Sequence, residues 1–173
     1  MVVRKACAGG GARDAGARAA LGRSQPWVRE YGLYMAAKAY FDGASGLDWP
    51  DAALRQHQPE AVERYRAALE EDIAFHTYVQ YLFFSQWAAL KAEINRQGVK
   101  LIEDLPIYVS LDSADVWSER KEFLLDAEGR PEKVAGVPPD YFSEEGQLWG
   151  NPLYDWAAQR ADGFGWWIRR VEG

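Results

Sequence analysis

The amino-acid sequence predicts an α/β fold, and three observations carry that expectation. A long helical pattern runs from about Pro59 to Gln97 and stops at a glycine, Gly98. An apolar run follows at once in "VKLIEDLPIYV", without the polar alternation of a half-exposed strand, as in strands covered on both faces of a parallel sheet. Two adjacent carboxylates, Glu103 and Asp104, end that run, and ligands of parallel α/β folds bind beyond the carboxyl ends of the strands.

The elements are read in chain order. Residues 1–25 are rich in Ala, Gly and Arg and poor in bulky apolar residues, so they bury too little surface to offset their ordering entropy. They are expected to be a disordered or unrelated leader, and residues 26–173 one partial domain. "QPWVREYGLYMAAKAYFDG" has Trp27, Tyr31, Tyr34 and Met35 at helical spacing and Gly43 as a stop. "ASGLDWPDAALRQHQPEA" reads as a loop with one short helical piece. The helix after Pro59 opens with Glu60, Glu63, Glu70 and Glu71, which suit the positive end of its dipole. Its middle, Ile73 to Leu90, is apolar nearly all round and should be buried between layers. His76 within it reads as a hydrogen-bonded core residue. Gly98 stands where a C′ residue belongs.

"DSADVW", 112–117, reads as a helix start, with Asp112 or Ser113 as N-cap and Trp117 packed behind. The stretch Ser110 to Asn151 is a long loop, dense in Gly, Pro, aromatic and acidic residues, and loops of that length are often functional. A last helix is expected from about Pro152 to Val171, weakened in its middle by Gly163 and Gly165, with Trp166 and Trp167 in the core.

Composition narrows the function. Of 173 residues, 48% are hydrophobic and eight are Trp, which is enough for a sizeable core. Mean hydropathy is −0.40, and no run of ~20 apolar residues occurs, so no membrane span is expected. One cysteine, Cys7, forms no internal disulfide and fits a reducing compartment, most simply the cytoplasm. With only two histidines besides, a zinc site is disfavoured. Net charge is −6; residues 1–25 carry +4, which leaves −10 on the body. An acidic, Trp-rich body disfavours nucleic-acid binding and is compatible with a neutral polyol.

Asp104 either faces a site at a strand end or caps the following turn; position alone weighs the two evenly. Glu103 and Asp104 do not form an acid/base pair if both keep strand geometry, because neighbouring strand residues point to opposite faces. Tyr141, Phe142 and Trp149 supply rings on which the C–H faces of sugars pack, and Asp140, Gln147 and Asn151 supply polar partners for hydroxyls. The alternative for these aromatics is loop anchoring into the core.

"EDLPIYVSLDSADVW", "VAGVPPDYFSEEGQLWGNPLYDW" and "ADGFGWWIRRV" resemble the 4-α-glucanotransferases, the amylomaltases or disproportionating enzymes, in order and spacing. "REYGLYMAAK" and "FHTYVQYLFFSQW" are similar to the family's helical segments, so the resemblance runs from Pro26 to Val171. It implies part of a (β/α)₈ barrel of the α-amylase type with a long helical and loop insert. It also implies transfer of α-1,4-glucan segments between malto-oligosaccharides through a covalent glycosyl–enzyme intermediate, without metal or organic cofactor. By the same resemblance Asp104 belongs to the donor side and is not the nucleophile. Asp140 belongs to a loop over the glucan, Gln147 and Trp149 to the acceptor side, and Asn151 follows them in the same motif.

The family's nucleophile, acid/base Glu and third Asp are expected downstream of Gly173. No catalytic residue is therefore assigned within the chain, which is read as a fragment, inactive alone. A complete barrel needs about 250 residues. Glu103 departs from the family's usual Gly at that place. The second expectation is a non-catalytic malto-oligosaccharide-binding fragment, and the third a structural domain whose aromatics are only core.

Overall fold

The computed structural model describes residues 25–172, together with Gly16, Leu21 and Gly22. The leader expected over 1–25 lies almost wholly outside the described residues. The chain divides into two compact units, one comprising residues up to Ala44 with Pro59–Asp104, the other Ser45–Gln58 with Leu105–Gly173. No helix is long and apolar enough to cross a membrane among the described residues.

In the first unit, α1 spans Trp27–Tyr40 and is stopped where Gly43 adopts a φ of 81° and its N–H bonds back to the Lys38 carbonyl. Val28, Leu33, Ala36 and Ala37 are fully buried; of the face expected from spacing, Tyr34 is buried with them, while Tyr31 and Met35 are half-buried and Trp27 is exposed. Gly32 lets α1 approach the long helix so nearly that an added Cβ would stand 3.1 Å from Thr77 Oγ1 and 3.2 Å from Ile73 Cγ2.

The expected single helix from Pro59 to Gln97 is two helices, α3 (Pro59–Ala68) and α4 (Glu70–Arg96), interrupted at Leu69. Arg66 in the last turn of α3 pairs with Glu30 in the first turn of α1. Within α4 only Tyr78 is buried, so the expectation of a helix buried between layers is corrected: α4 packs on α1 along one side and leaves another side in solvent. His76 is half-buried, with its ring edge-on to Phe75 at 5.1 Å. Gly98 takes a φ of 80°, and Val99 N–H returns to the Ile94 carbonyl, closing the helix as expected.

The buried strand after Gly98 is not formed. Val99–Ile102 has no regular structure, and Ile102 is 98% exposed. A strand needs a neighbour to take up its backbone N–H and C=O groups, and no described strand pairs with this stretch.

The second unit starts with α2 (Ala52–Arg55), capped by Asp51, whose Oδ1 accepts from Ala53 and Leu54 N–H. Helix α5 (Ala114–Ser118) is capped by Ser113, one of the two caps expected, and Trp117 is buried behind it. The Trp117 indole donates to the Leu54 carbonyl at 2.8 Å and meets the fully buried Trp49 edge-on at 5.7 Å. A 3₁₀ turn, Arg120–Glu122, leads to a cluster of Val116, Phe123, Tyr154 and Trp166.

The long loop 110–151 is less irregular than expected. It contains α5, the 3₁₀ turn and most of an antiparallel pair, β1 (Val134–Val137) and β2 (Gln147–Pro152), with an irregularity opposite Val134–Gly136. The expected last helix is also two, α6 (Trp156–Ala161) and α7 (Gly165–Glu172), parted at Gly163 with φ 75°. Trp166 is buried, as predicted.

Candidate functional site

The β1–β2 hairpin is the chemical feature of the second unit. Its tip is bonded to itself. Asp140 Oδ1 accepts from Phe142 N–H at 2.9 Å and Ser143 N–H at 2.8 Å, and Asp140 N–H donates to the Ser143 carbonyl. Ser143 Oγ donates to the Gly146 carbonyl at 2.7 Å. Gly146 has a φ of 74°, and a Cβ there would stand 2.5 Å from the Val137 carbonyl oxygen, so this turn requires glycine. The turn lifts Tyr141, 96% exposed, and Phe142 into solvent, edge-on to each other at 5.5 Å.

Gln147 and Trp149 stand two residues apart on β2. The Trp149 indole N–H donates to Gln147 Oε1 at 2.9 Å, which fixes the indole while 46% of the residue stays exposed. Tyr108 supports the same ring edge-on at 6.1 Å and is itself stacked on Tyr154. Asn151 is engaged with the backbone: its Nδ2 donates to the Val109 carbonyl at 2.7 Å, so it ties β2 to the 107–109 segment.

Of the residues singled out by sequence, Gln147 and Trp149 are thus directly joined. Asp140 shapes the tip of the same hairpin, and Asn151 is a tether rather than an open polar group. The aromatics do not anchor the loop into the core; Tyr141, Phe142 and Trp149 all reach solvent. Asp104 belongs to the first unit. It lies with Glu103 in the irregular, exposed stretch after Gly98, so the opposite-face rule for neighbouring strand residues does not apply to the pair.

Sequence reasoning missed Tyr108, Tyr154 and Arg170. Tyr154 donates its hydroxyl to the Ile107 carbonyl at 2.8 Å, and Arg170 donates to the Pro106 carbonyl at 2.8 Å while lying over the rings of Trp166 and Trp167. Burial pushes the Tyr154 phenol above its ordinary pKa. No local motif marks these residues, because the hydrogen bonds of Tyr154 and Arg170 reach partners sixteen or more positions away along the chain.

A hollow of about 610 Å³ lies among Ile107, Tyr108, Tyr154, Trp156, Phe164 and Trp167. Its lining is aromatic and aliphatic, with no carboxylate. No cluster of three or more His, Cys, Asp or Glu able to hold a metal occurs among the described residues. The nearest approach to an unusual acid is Glu122, fully buried with Oε2 lacking a hydrogen-bond partner. Burial, reinforced by the Asp162 carboxylate, raises its pKa, against a partial offset from Lys121.

The hairpin therefore presents ring faces beside amide and carboxylate groups, the chemistry of a surface for neutral polyols. The chain belongs to the 4-alpha-glucanotransferase family, whose sequence model matches residues 4–173. That match begins within the stretch read as a leader. The chain is 51% identical over 146 residues to the 4-alpha-glucanotransferase of Thermus thermophilus, covering 84% of this chain and 29% of that protein. It is 42% identical over 147 residues to the chloroplastic/amyloplastic 4-alpha-glucanotransferase of Solanum tuberosum, covering 84% of this chain and 25% of that one. Its fold matches the amylomaltase from Streptococcus agalactiae in complex with acarbose with a TM-score of 0.89 at 39% identity, over 94% of this chain and 33% of that chain. The chain thus spans less than a third of the length of the curated relatives it matches.

Proposed function

We propose that this chain supplies part of the glucan-binding surface of a 4-α-glucanotransferase, an enzyme moving α-1,4-glucan segments between malto-oligosaccharides with retention at C1. The observation that carries the reading is Trp149, an exposed indole held in one orientation by Gln147. A fixed ring offers a sugar face a platform without the entropy cost of ordering it. Gln147 and Asp140 offer polar partners to hydroxyls, and Asn151 keeps β2 in place. Asp104 is assigned to the donor side of the same glucan, within the α-amylase-type barrel that the family implies. The single cysteine fits a cytoplasmic setting.

Retaining transfer proceeds by two displacements. A carboxylate attacks C1 as the glycosidic oxygen leaves with a proton from a second carboxyl group. The acceptor hydroxyl then displaces the resulting ester and gives its proton to that second group. We assign both groups to positions outside residues 1–173. Support for this is that Glu103 and Asp104 are exposed neighbours, and that Asp140 Oδ1 is engaged in its own turn.

Calorimetry with maltoheptaose tests the binding reading: saturable binding that weakens at least tenfold in Trp149→Ala is expected, and absence of binding overturns it. Glucose release from maltotriose tests the catalytic assignment. No turnover by the purified chain is expected, and turnover at enzymatic rates would place the reacting carboxylates within it.

A further inference from the structure

Residues 106–109 belong to no helix or strand, yet three of their carbonyls are taken up by side chains. The Pro106 carbonyl accepts from Arg170 Nη2 at 2.8 Å, the Ile107 carbonyl from the Tyr154 hydroxyl at 2.8 Å, and the Val109 carbonyl from Asn151 Nδ2 at 2.7 Å. Side-chain donors thus stand in for the ladder that a neighbouring strand would supply. Two of them grip the backbone on either side of Tyr108. The half-buried Tyr108 ring is also stacked on the buried Tyr154, at 6.0 Å and an interplanar angle of 11°. Backbone and ring are therefore both held, and the torsional freedom of Tyr108 is already lost in the folded chain.

Trp149 depends on such a neighbour. Its indole N–H is bonded to Gln147, but Gln147 is itself an exposed side chain with several rotatable torsions, free to follow the indole as it turns. The Tyr108 ring meets the indole edge-on at 6.1 Å and 64°, an arrangement that aromatic pairs favour. A hydrogen bond to a mobile partner and a contact with a fixed ring together restrict the indole to one plane.

We propose that Tyr108 is a positioning residue of the glucan surface: clasped by Tyr154 and Asn151, it fixes the plane of the Trp149 indole and so sets the affinity for an α-1,4-glucan. Its effect on affinity rests on the glucan-binding reading of Trp149, whereas the restraint on the ring does not.

The restraint is tested on the full 173-residue chain, isotope-labelled so that the Trp149 indole N–H is read by magnetic resonance and assigned by its loss in Trp149→Phe. Tyr108→Leu should speed exchange of that proton with water at least about fivefold, and Tyr108→Phe, which keeps the ring, should leave it within about twofold. The buried Trp117 indole is the control, and its unchanged exchange shows that the second unit has stayed folded. Where Tyr108→Leu releases Trp117 as well, Tyr154→Phe takes its place. That variant keeps the stacked ring and loses the bond to the Ile107 carbonyl, so it should speed exchange at Trp149 in the same direction. Unchanged exchange at Trp149 in either variant overturns the proposal.

Calorimetry with maltoheptaose reads the consequence. Tyr108→Leu should weaken binding at least about fivefold in the parent chain but less than about twofold in a Trp149→Ala background, where nothing is left to position. Equal losses in the two backgrounds would make Tyr108 an independent contact and overturn the proposal. A parent chain that binds no maltoheptaose removes the glucan-binding reading and the effect on affinity with it, while indole exchange still decides whether Tyr108 sets the ring.

Discussion

The indole N–H of Trp149 donates to the side-chain oxygen of Gln147 at 2.9 Å, a bond between two residues of one strand that orients an exposed ring. Its removal separates positioning from packing. Gln147→Ala should leave the melting temperature within about 2 °C, since an exposed side-chain hydrogen bond contributes little net stability. Maltoheptaose affinity should fall several-fold as the indole becomes free to rotate. Calorimetry beside thermal denaturation reads both, and a large stability loss with unchanged affinity would make the pair purely structural.

Gly146 should tolerate no side chain. Its φ of 74° and the 2.5 Å approach to the Val137 carbonyl oxygen both act against alanine. Gly146→Ala is expected to cost about 1–3 kcal/mol, localised to the hairpin. Hydrogen exchange should rise over 134–152 and stay unchanged over α1 and α4. Gly150, whose φ is 78° with open space around a Cβ, should cost less on alanine substitution.

Trp117 carries the core of the second unit's first half. Trp117→Phe keeps a ring but removes the indole N–H that the Leu54 carbonyl accepts at 2.8 Å beside His57 N–H at 3.0 Å. The lost bond and the vacated volume together should cost about 2–4 kcal/mol. Denaturant unfolding checks this, and a loss under about 1 kcal/mol would show that water or a shifted side chain replaces the donor.

Glu122 should make stability depend on pH in an unusual direction for an acid. Its folded pKa is raised, first by burial and then by Asp162, so folding favours the protonated form. The corresponding contribution is complete below the unfolded carboxyl value of about 4.3 and is lost as pH rises through the raised folded value. Glu122→Gln, neutral at every pH, should therefore melt higher than the parent chain near pH 7, with the difference shrinking toward pH 4. A difference that grows toward acid would reverse the sign and refute the assignment.

Local elements were readable because their causes are local. Ser113 as a cap, the glycine stops at Gly43 and Gly98, the short helix after Asp51 and the weakness at Gly163 each depend on a backbone dihedral or a hydrogen bond within a few residues. Gln147 and Trp149 were also legible as candidates, since rings and amides close in sequence on one strand stay close in space. Tyr108, Tyr154 and Arg170 were not. Their bonds to Ile107 and Pro106 close loops of forty-seven and sixty-four residues, and no spacing rule reaches that far.

The sequence by itself determined the helix stops at Gly43 and Gly98, which residues carry sugar-compatible chemistry, and the family to which 26–171 is similar, but not the breaks at Leu69 and Gly163 that split two expected helices. It also suggested an apolar strand after Gly98, because hydrophobicity reports the tendency to be covered. Only the tertiary structure decided that Val99–Ile102 is unpaired and exposed. Burial and strand pairing are properties of a neighbour, and a residue pattern states the demand without supplying one. The same holds for α4, whose all-round apolar middle calls for cover on every side while α1 supplies it on one. The tertiary structure also decided that Asn151 is a tether, bonded to the Val109 carbonyl, while Trp149 leans on Tyr108 and keeps much of its indole in solvent.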